Sequence, residues 1–111
     1  MPKLKPGQGA TWHRYGCHLR IYDNGGKTAD RYTILPPKWA GPEWREVGRM
    51  WQAIGASRNP FHPQGVGMHC AATPGPHLGK RINWDDLPPK VQQFARQTFG
   101  TAWVPPLNAQ E

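Results

Sequence analysis

"CHLRIYDNGGKTADRYTIL", residues 17–35, is the stretch that decides the fold. Leu19 and Ile21 alternate with His18, Arg20 and Tyr22, as a half-buried strand requires. "DNGG" at 23–26 follows. Asn24 and Gly25 both accept positive φ, and Asn-Gly is the strongest short signal for a hairpin. "DRYTIL" at 30–35 then supplies aromatic and β-branched residues for a returning strand. A lone hairpin is marginal in water, so the pair needs a third element.

The neighbouring stretches supply it in two ways. In "GPEWREVGRMWQAIGAS" at 41–57, Trp44, Val47, Trp51 and Ile54 fall at helical spacing, with Pro42 placed to open a helix and Gly55 to close it. The same segment alternates at its end, with Met50, Gln52 and Ile54 against Trp51, Ala53 and Gly55. Gly48 suits a helix interior badly, so residues 49–56 are read as a third strand. Residues 57–80 read as loop, and "KRINW" at 80–84 as one more short strand. "DDLPPKVQQFARQTFG" at 85–100 is the best helix, with Leu87, Val91, Phe94 and Thr98 along one face, Asp86 as cap and Gly100 where helices end. The expected class is α+β: a small antiparallel sheet built on the Asn24-Gly25 hairpin, one or two further strands, a C-terminal helix and many loops.

A chain of 111 residues favours one domain, 1–111, with flexible tails at 1–9 and 105–111. Gly and Pro number 13 each, which leans toward disorder, but six Trp, three Tyr and three Phe provide the area a folded core needs. The net charge is +7, and it is unevenly placed. Residues 1–22 hold Lys3, Lys5, Arg14 and Arg20 and no acid; residues 47–84 hold Arg49, Arg58, Lys80 and Arg81 and again no acid. Such a surface attracts polyanions, nucleic acid or nucleotide, or the acidic face of a host protein. No apolar run is long enough for a membrane span, and no apolar signal core is seen at the start. Two cysteines in that setting point to free thiols and the cytoplasm. A homo-oligomer stays open.

Metal and phosphate sites are the first chemistry these residues suggest. Cys17-His18 and His69-Cys70 form a mirrored pair, but adjacent residues on a strand face opposite ways and the usual two-residue gap between zinc ligands is missing. "DNGGKTAD" starts like a calcium loop, yet Gly25 takes the third position and no Glu closes it. No metal ligand and no cofactor is therefore assigned. Phosphate fits better. "NGGK" offers backbone N–H groups beside Lys27, and "HLGK" sets His77 and Lys80 next to Arg81. The plainer alternative is a tight turn with a solvated lysine. In "NPFHPQG", residues 59–65, Pro60 and Pro63 stiffen the backbone around Phe61 and His62, which suits recognition at low entropic cost. The plainer alternative there is that Phe61 plugs the core.

Three stretches together, "YDNGGKTADRYT", "NPFHPQGVG" and "HLGKRI" followed by "DLP", resemble a family of small proteins carried by phages and other mobile elements. The family brings no established activity, so no catalytic role carries over. The resemblance implies an accessory protein of a bacterial host cell, of the kind that counters or redirects a host system.

The resulting expectation is non-catalytic binding of a phosphate-bearing partner, nucleic acid or signalling nucleotide. Lys27, Arg31, Lys80 and Arg81 contact phosphate; His62, Gln64 and His77 orient the ligand; Tyr22 or Phe61 stacks on a base. All of these are expected to meet in a single cleft. Two alternatives stay open. One is a phosphodiesterase or nuclease using His62, His69 and His77 with Asp23 or Asp30. The other is an inhibitor of a host factor anchored by Trp39, Trp44 and Trp51.

Overall fold

The computed structural model of the chain describes residues 4–106. Five strands form one sheet: β1 (Arg20–Asp23), β2 (Tyr32–Leu35), β3 (Trp51–Ala56), β4 (Gly67–Ala72) and β5 (Lys80–Arg81). Their order is β4-β3-β2-β1-β5, and every neighbouring pair is antiparallel. Two helices accompany the sheet, α1 (Ala10–Tyr15) and α2 (Pro89–Phe99). The fold is a small α+β domain with a five-stranded antiparallel sheet and a C-terminal helix. The expected tails fall partly on residues 1–3 and 107–111, which lie outside the described residues.

The hairpin forms where the alternation puts it, with Ile21 opposite Ile34 and Asp23 opposite Tyr32. Its connection is longer than a two-residue turn. Residues 24–31 bulge out, and the Asn24 N–H closes them on the Arg31 carbonyl at 3.0 Å. Gly25 and Gly26 take the left-handed backbone there, at φ 78° and 90°.

Residues 43–56 settle as strand at their C-terminal end, with Pro42–Trp44 a single 3-10 turn. Val47 shows why the helical stripe fails: it is 82% exposed, where a core-facing helix would bury it. Two elements depart from the sequence reading. Residues 67–72 form strand β4 rather than loop. "GMHCAA" has no β-branched residue and no clean alternation, and it is ordered by its six-residue pairing with β3. Helix α1 has one and a half turns with no side-chain cap at its start, and it ends on Gly16 at φ 77°.

One sheet face carries Ile21, Tyr32, Ile34, Ile54 and Ala56 under α2, with Trp84, Leu87 and Val104 filling in. The buried stripe of α2 is Val91, Ala95 and Phe99, at i, i+4 and i+8. Phe94 and Thr98, placed on that stripe by the sequence reading, sit at its border. Each large side chain buried here contributes roughly 1.5–3 kcal/mol. The other face carries Tyr22, Leu35, Trp51 and Ala53, covered by residues of the loops and short turns such as Ala40, Trp44 and Leu78.

These registers give the sheet two distinct ends. Asp23, Tyr32, Ala56, Gly67 and Lys80 lie at one, together with the connections 24–31 and 57–66. Arg20, Leu35, Trp51 and Ala72 lie at the other.

Candidate anion-binding cleft

At the second end, Arg20 leaves β1 on the loop-covered face. Its Nε donates to the Pro36 carbonyl at 2.8 Å, and its guanidinium lies 4.7 Å from the centre of the Trp51 ring. Arg45 stacks on the same ring at 4.3 Å. Arg81, next along the sheet on β5, stands over Tyr15 at 4.3 Å and Tyr22 at 5.6 Å. Aromatic faces hold these guanidinium planes, which leaves the in-plane N–H donors for other partners. Two of those donors, Nη2 of Arg20 and Nε of Arg81, are buried with no hydrogen-bond partner among the described residues. Native structures rarely leave such groups unpaired.

Two hollows open beside these arginines. One, of about 370 Å³, is lined by Arg20, Lys38, Arg45, Arg49, Trp51, Thr73 and Pro74. The other, of about 360 Å³, is lined by Leu4, Ala10, Thr11, His18, Arg20, Pro37, Lys38, Trp39 and Arg81. Arg20 and Lys38 are the wall common to both. Each volume falls at the lower end of the range for small-ligand sites, roughly 300–1,000 Å³. Five cations line the pair, and no Asp, Glu, Asn or Gln does so among the described residues. Burial pulls the Arg20 guanidinium down to about 10, and the nearby Arg81 and Arg45 add to this against an opposing pull from Tyr22. It stays cationic at neutral pH, in a place where charge is costly without an anion.

The back of the second hollow is aromatic. His18 is buried between Trp12 and Trp39, with ring centres 4.7 and 5.2 Å away. Its backbone N–H donates to the Trp103 carbonyl at 2.8 Å, and its Nε2 lies 3.0 Å from the Lys5 carbonyl. Trp39, half-buried, leans on Trp103 on one side and lines the hollow on the other.

The residues singled out from the sequence distribute differently from the expected single cleft. Arg81 lines the second hollow, and Tyr22 lies beneath it. Lys27, Arg31 and Lys80 are at the opposite end of the sheet. The amides expected to receive phosphate there are occupied: Gly25 N–H donates to Asp23 Oδ1 at 2.8 Å, and Gly26 and Lys27 N–H donate to Asn24 Oδ1 at 2.9 and 3.0 Å. Arg31 grips Asp23 with two bonds, 2.7 and 3.0 Å, the one ion pair found among the described residues. That grip holds the Asp23 carboxyl below its ordinary value. Lys80 stands opposite Asp23 in the ladder. Gly79 is needed for packing, because a Cβ there would collide with the backbone of Asp23 and Asn24.

The proline-braced segment likewise serves its own turn. Asn59 Oδ1 accepts from Phe61 N–H at 3.1 Å, and the His62 carbonyl accepts from Gly65 N–H at 2.8 Å. A Cβ on Gly65 would strike the Asn59 carbonyl. His62 Nδ1 accepts from the Gln64 N–H at 3.1 Å, and Phe61 packs edge-on against Phe94 of α2 at 6.0 Å. His77 is exposed in the short turn before β5. His69 faces α2 instead, 3.3 Å from Thr98 Oγ1, so the three histidines occupy three separate surroundings. Among the described residues no group of three His, Cys, Asp or Glu is placed to hold a metal, and no helix is long and apolar enough to cross a membrane. Of the three proposed tryptophan anchors, Trp51 is 5% exposed, and Trp44 packs on Phe99 and Trp103.

Fold and cleft together define a small α+β domain with a cationic, aromatic-backed site at one end of its sheet. No family model matches the chain, and no match is found among curated proteins or solved structures. Lys38, Trp39, Arg45 and Arg49 escaped the motif reading because none belongs to a recognisable motif. Of the four, only Arg49 falls in an acid-free charge run, the one that also holds Arg81, and Trp39 stood out only as an interface anchor.

Proposed function

We propose that the chain is a non-catalytic binding protein whose arginine-end hollows receive a phosphate-bearing partner, nucleic acid or nucleotide. The observation that carries this reading is the absence of any carboxylate among the described lining residues, around an arginine whose buried Nη2 has no acceptor. Five cations this close repel one another, and an anion relieves that repulsion while supplying the missing acceptors. The stretches resembling phage and mobile-element proteins support a reading in which the chain acts as an accessory factor in the cytoplasm of a bacterial host.

Titration against a panel of nucleotides and oligonucleotides at two salt concentrations tests the reading. Binding that weakens with salt, with a log-log slope of about 0.7 to 0.9 per phosphate contacted, is the expected outcome. Binding that ignores salt, or that survives reversal of Lys38 and Arg49 to Glu, contradicts it.

A further inference from the structure

We infer that the cleft takes a single-stranded nucleic acid segment, not a free nucleotide, with a backbone phosphate on Arg20 and Lys38 and neighbouring nucleotides in the two hollows. This rests on the phosphate-binding reading above and narrows it. The geometry points to a chain because the two hollows are nearly equal in volume, about 360 and 370 Å³, and share one cationic wall. A free nucleotide fills one and leaves the other's cations, Arg81 on one side or Arg45 and Arg49 on the other, without an anion. A strand puts a phosphate at the wall and further phosphates outward on both sides.

The aromatic content matches. Trp39 offers a half-buried ring beside Lys38, braced from behind by His18 and Trp103, and so presents a firm stacking platform. In the other hollow Arg20 and Arg45 both lie against the Trp51 ring, and the guanidinium plane of the exposed Arg45 is itself a surface on which a base stacks. Both platforms lie inside concave pockets. A base inside a duplex is already stacked and paired and does not reach them, whereas a splayed single strand does. The lining also lacks Asn, Gln, Asp and Glu among the described residues, so the side chains that read adenine and cytosine edges are missing, and the arginines, which can read guanine, are committed to phosphate in this arrangement. The strand is therefore bound with little sequence preference.

Fluorescence anisotropy with end-labelled deoxythymidine oligomers of increasing length, beside matching RNA, a mononucleotide and a blunt duplex, tests this. The expected result is affinity that climbs steeply from the mononucleotide through the first few residues and then levels off. The duplex binds more weakly, and mixed-sequence strands bind within a few-fold of thymidine. Trp39→Ala lowers oligomer affinity on the order of tenfold, and Trp39→Phe, which keeps a ring against His18, restores most of it. A mononucleotide that binds as tightly as an eight-residue strand, or a duplex that equals it, overturns the single-strand inference and leaves phosphate binding standing. Failure of every phosphate compound to bind at low salt overturns both.

Discussion

The two ends of the sheet are both rich in cations, and they use them in opposite ways. At the turn end Asp23 and Asp30 stand among Lys27, Arg31, Arg58 and Lys80. Arg31 is held bidentate by Asp23, and Arg58 donates to the Tyr32 hydroxyl at 3.4 Å. Asn24 and Asn59 spend their side chains on the amides of their own turns. At the arginine end the guanidinium planes rest on Trp51, Tyr15 and Tyr22 and form no ion pair with a carboxylate among the described residues. Charge counted along a sequence does not distinguish these cases. What separates them is whether the fold supplies the counter-ion: the turn end has Asp23 on Arg31, and the arginine-end hollows have no carboxylate in their lining among the described residues.

The largest effect is expected from charge reversals matched between the ends. Lys38→Glu with Arg49→Glu removes two cations from the arginine end; Lys27→Glu with Lys80→Glu changes the net charge equally at the turn end. Hydrogen bonds to charged groups are worth about 1.5–3 kcal/mol each, so the first pair lowers oligonucleotide affinity by roughly a hundredfold or more. The second changes it only through long-range attraction, by about threefold at physiological salt. Equal losses from both pairs would erase the distinction between the ends.

Next in size is a stability effect confined to the turn end. Gly79 has φ 114° and no room for a Cβ against Asp23 and Asn24. Gly79→Ala is expected to cost roughly 2–4 kcal/mol in denaturant unfolding, with affinity of the folded fraction unchanged. A neutral substitution would return the "HLGK" glycine to a ligand-binding role.

A smaller effect follows from the Asp23–Arg31 pair. Its hydrogen bond from Arg31 holds the Asp23 carboxyl low. The resulting stability is present above the unfolded value, about 3.9, and disappears as pH falls through the lower folded value. Arg31→Gln is expected to lower stability slightly at neutral pH and to flatten the acid limb of a stability-pH curve. The smallest expected effect is a rise of a degree or two in Tm with millimolar inorganic phosphate, lost in the Lys38/Arg49 reversal and retained in the Lys27/Lys80 one.

How much of this was legible beforehand follows from the kind of signal each part carries. The β1–β2 hairpin and α2 were readable because Leu19, Ile21 and Ile34, and then Val91 and its neighbours, repeat at the period of their own element. β4 was not, because Gly67, His69 and Ala71 carry no strand propensity and gain order only from β3. The site was half legible. Arg81 and Tyr22 were found through the "HLGK" and hairpin stretches, but Lys27, His62 and Gln64 drew attention as motif residues whose glycines and asparagines turned out to serve turn geometry. Lys38 and Arg45 come from a segment without pattern, and only the fold carries them to Arg20.

The central claim is that phosphate lands at the arginine end, and amide and indole chemical-shift mapping tests it most directly. Isotope-labelled protein titrated with an unlabelled eight-residue oligothymidine should show its largest shifts at Arg20, Lys38, Arg45, Arg49 and Arg81 and at the Trp39 indole N–H. The Gly25, Gly26, Lys27 and His62 amides should stay in place. Shifts concentrated on those four, with the Trp39 indole unmoved, would contradict the account.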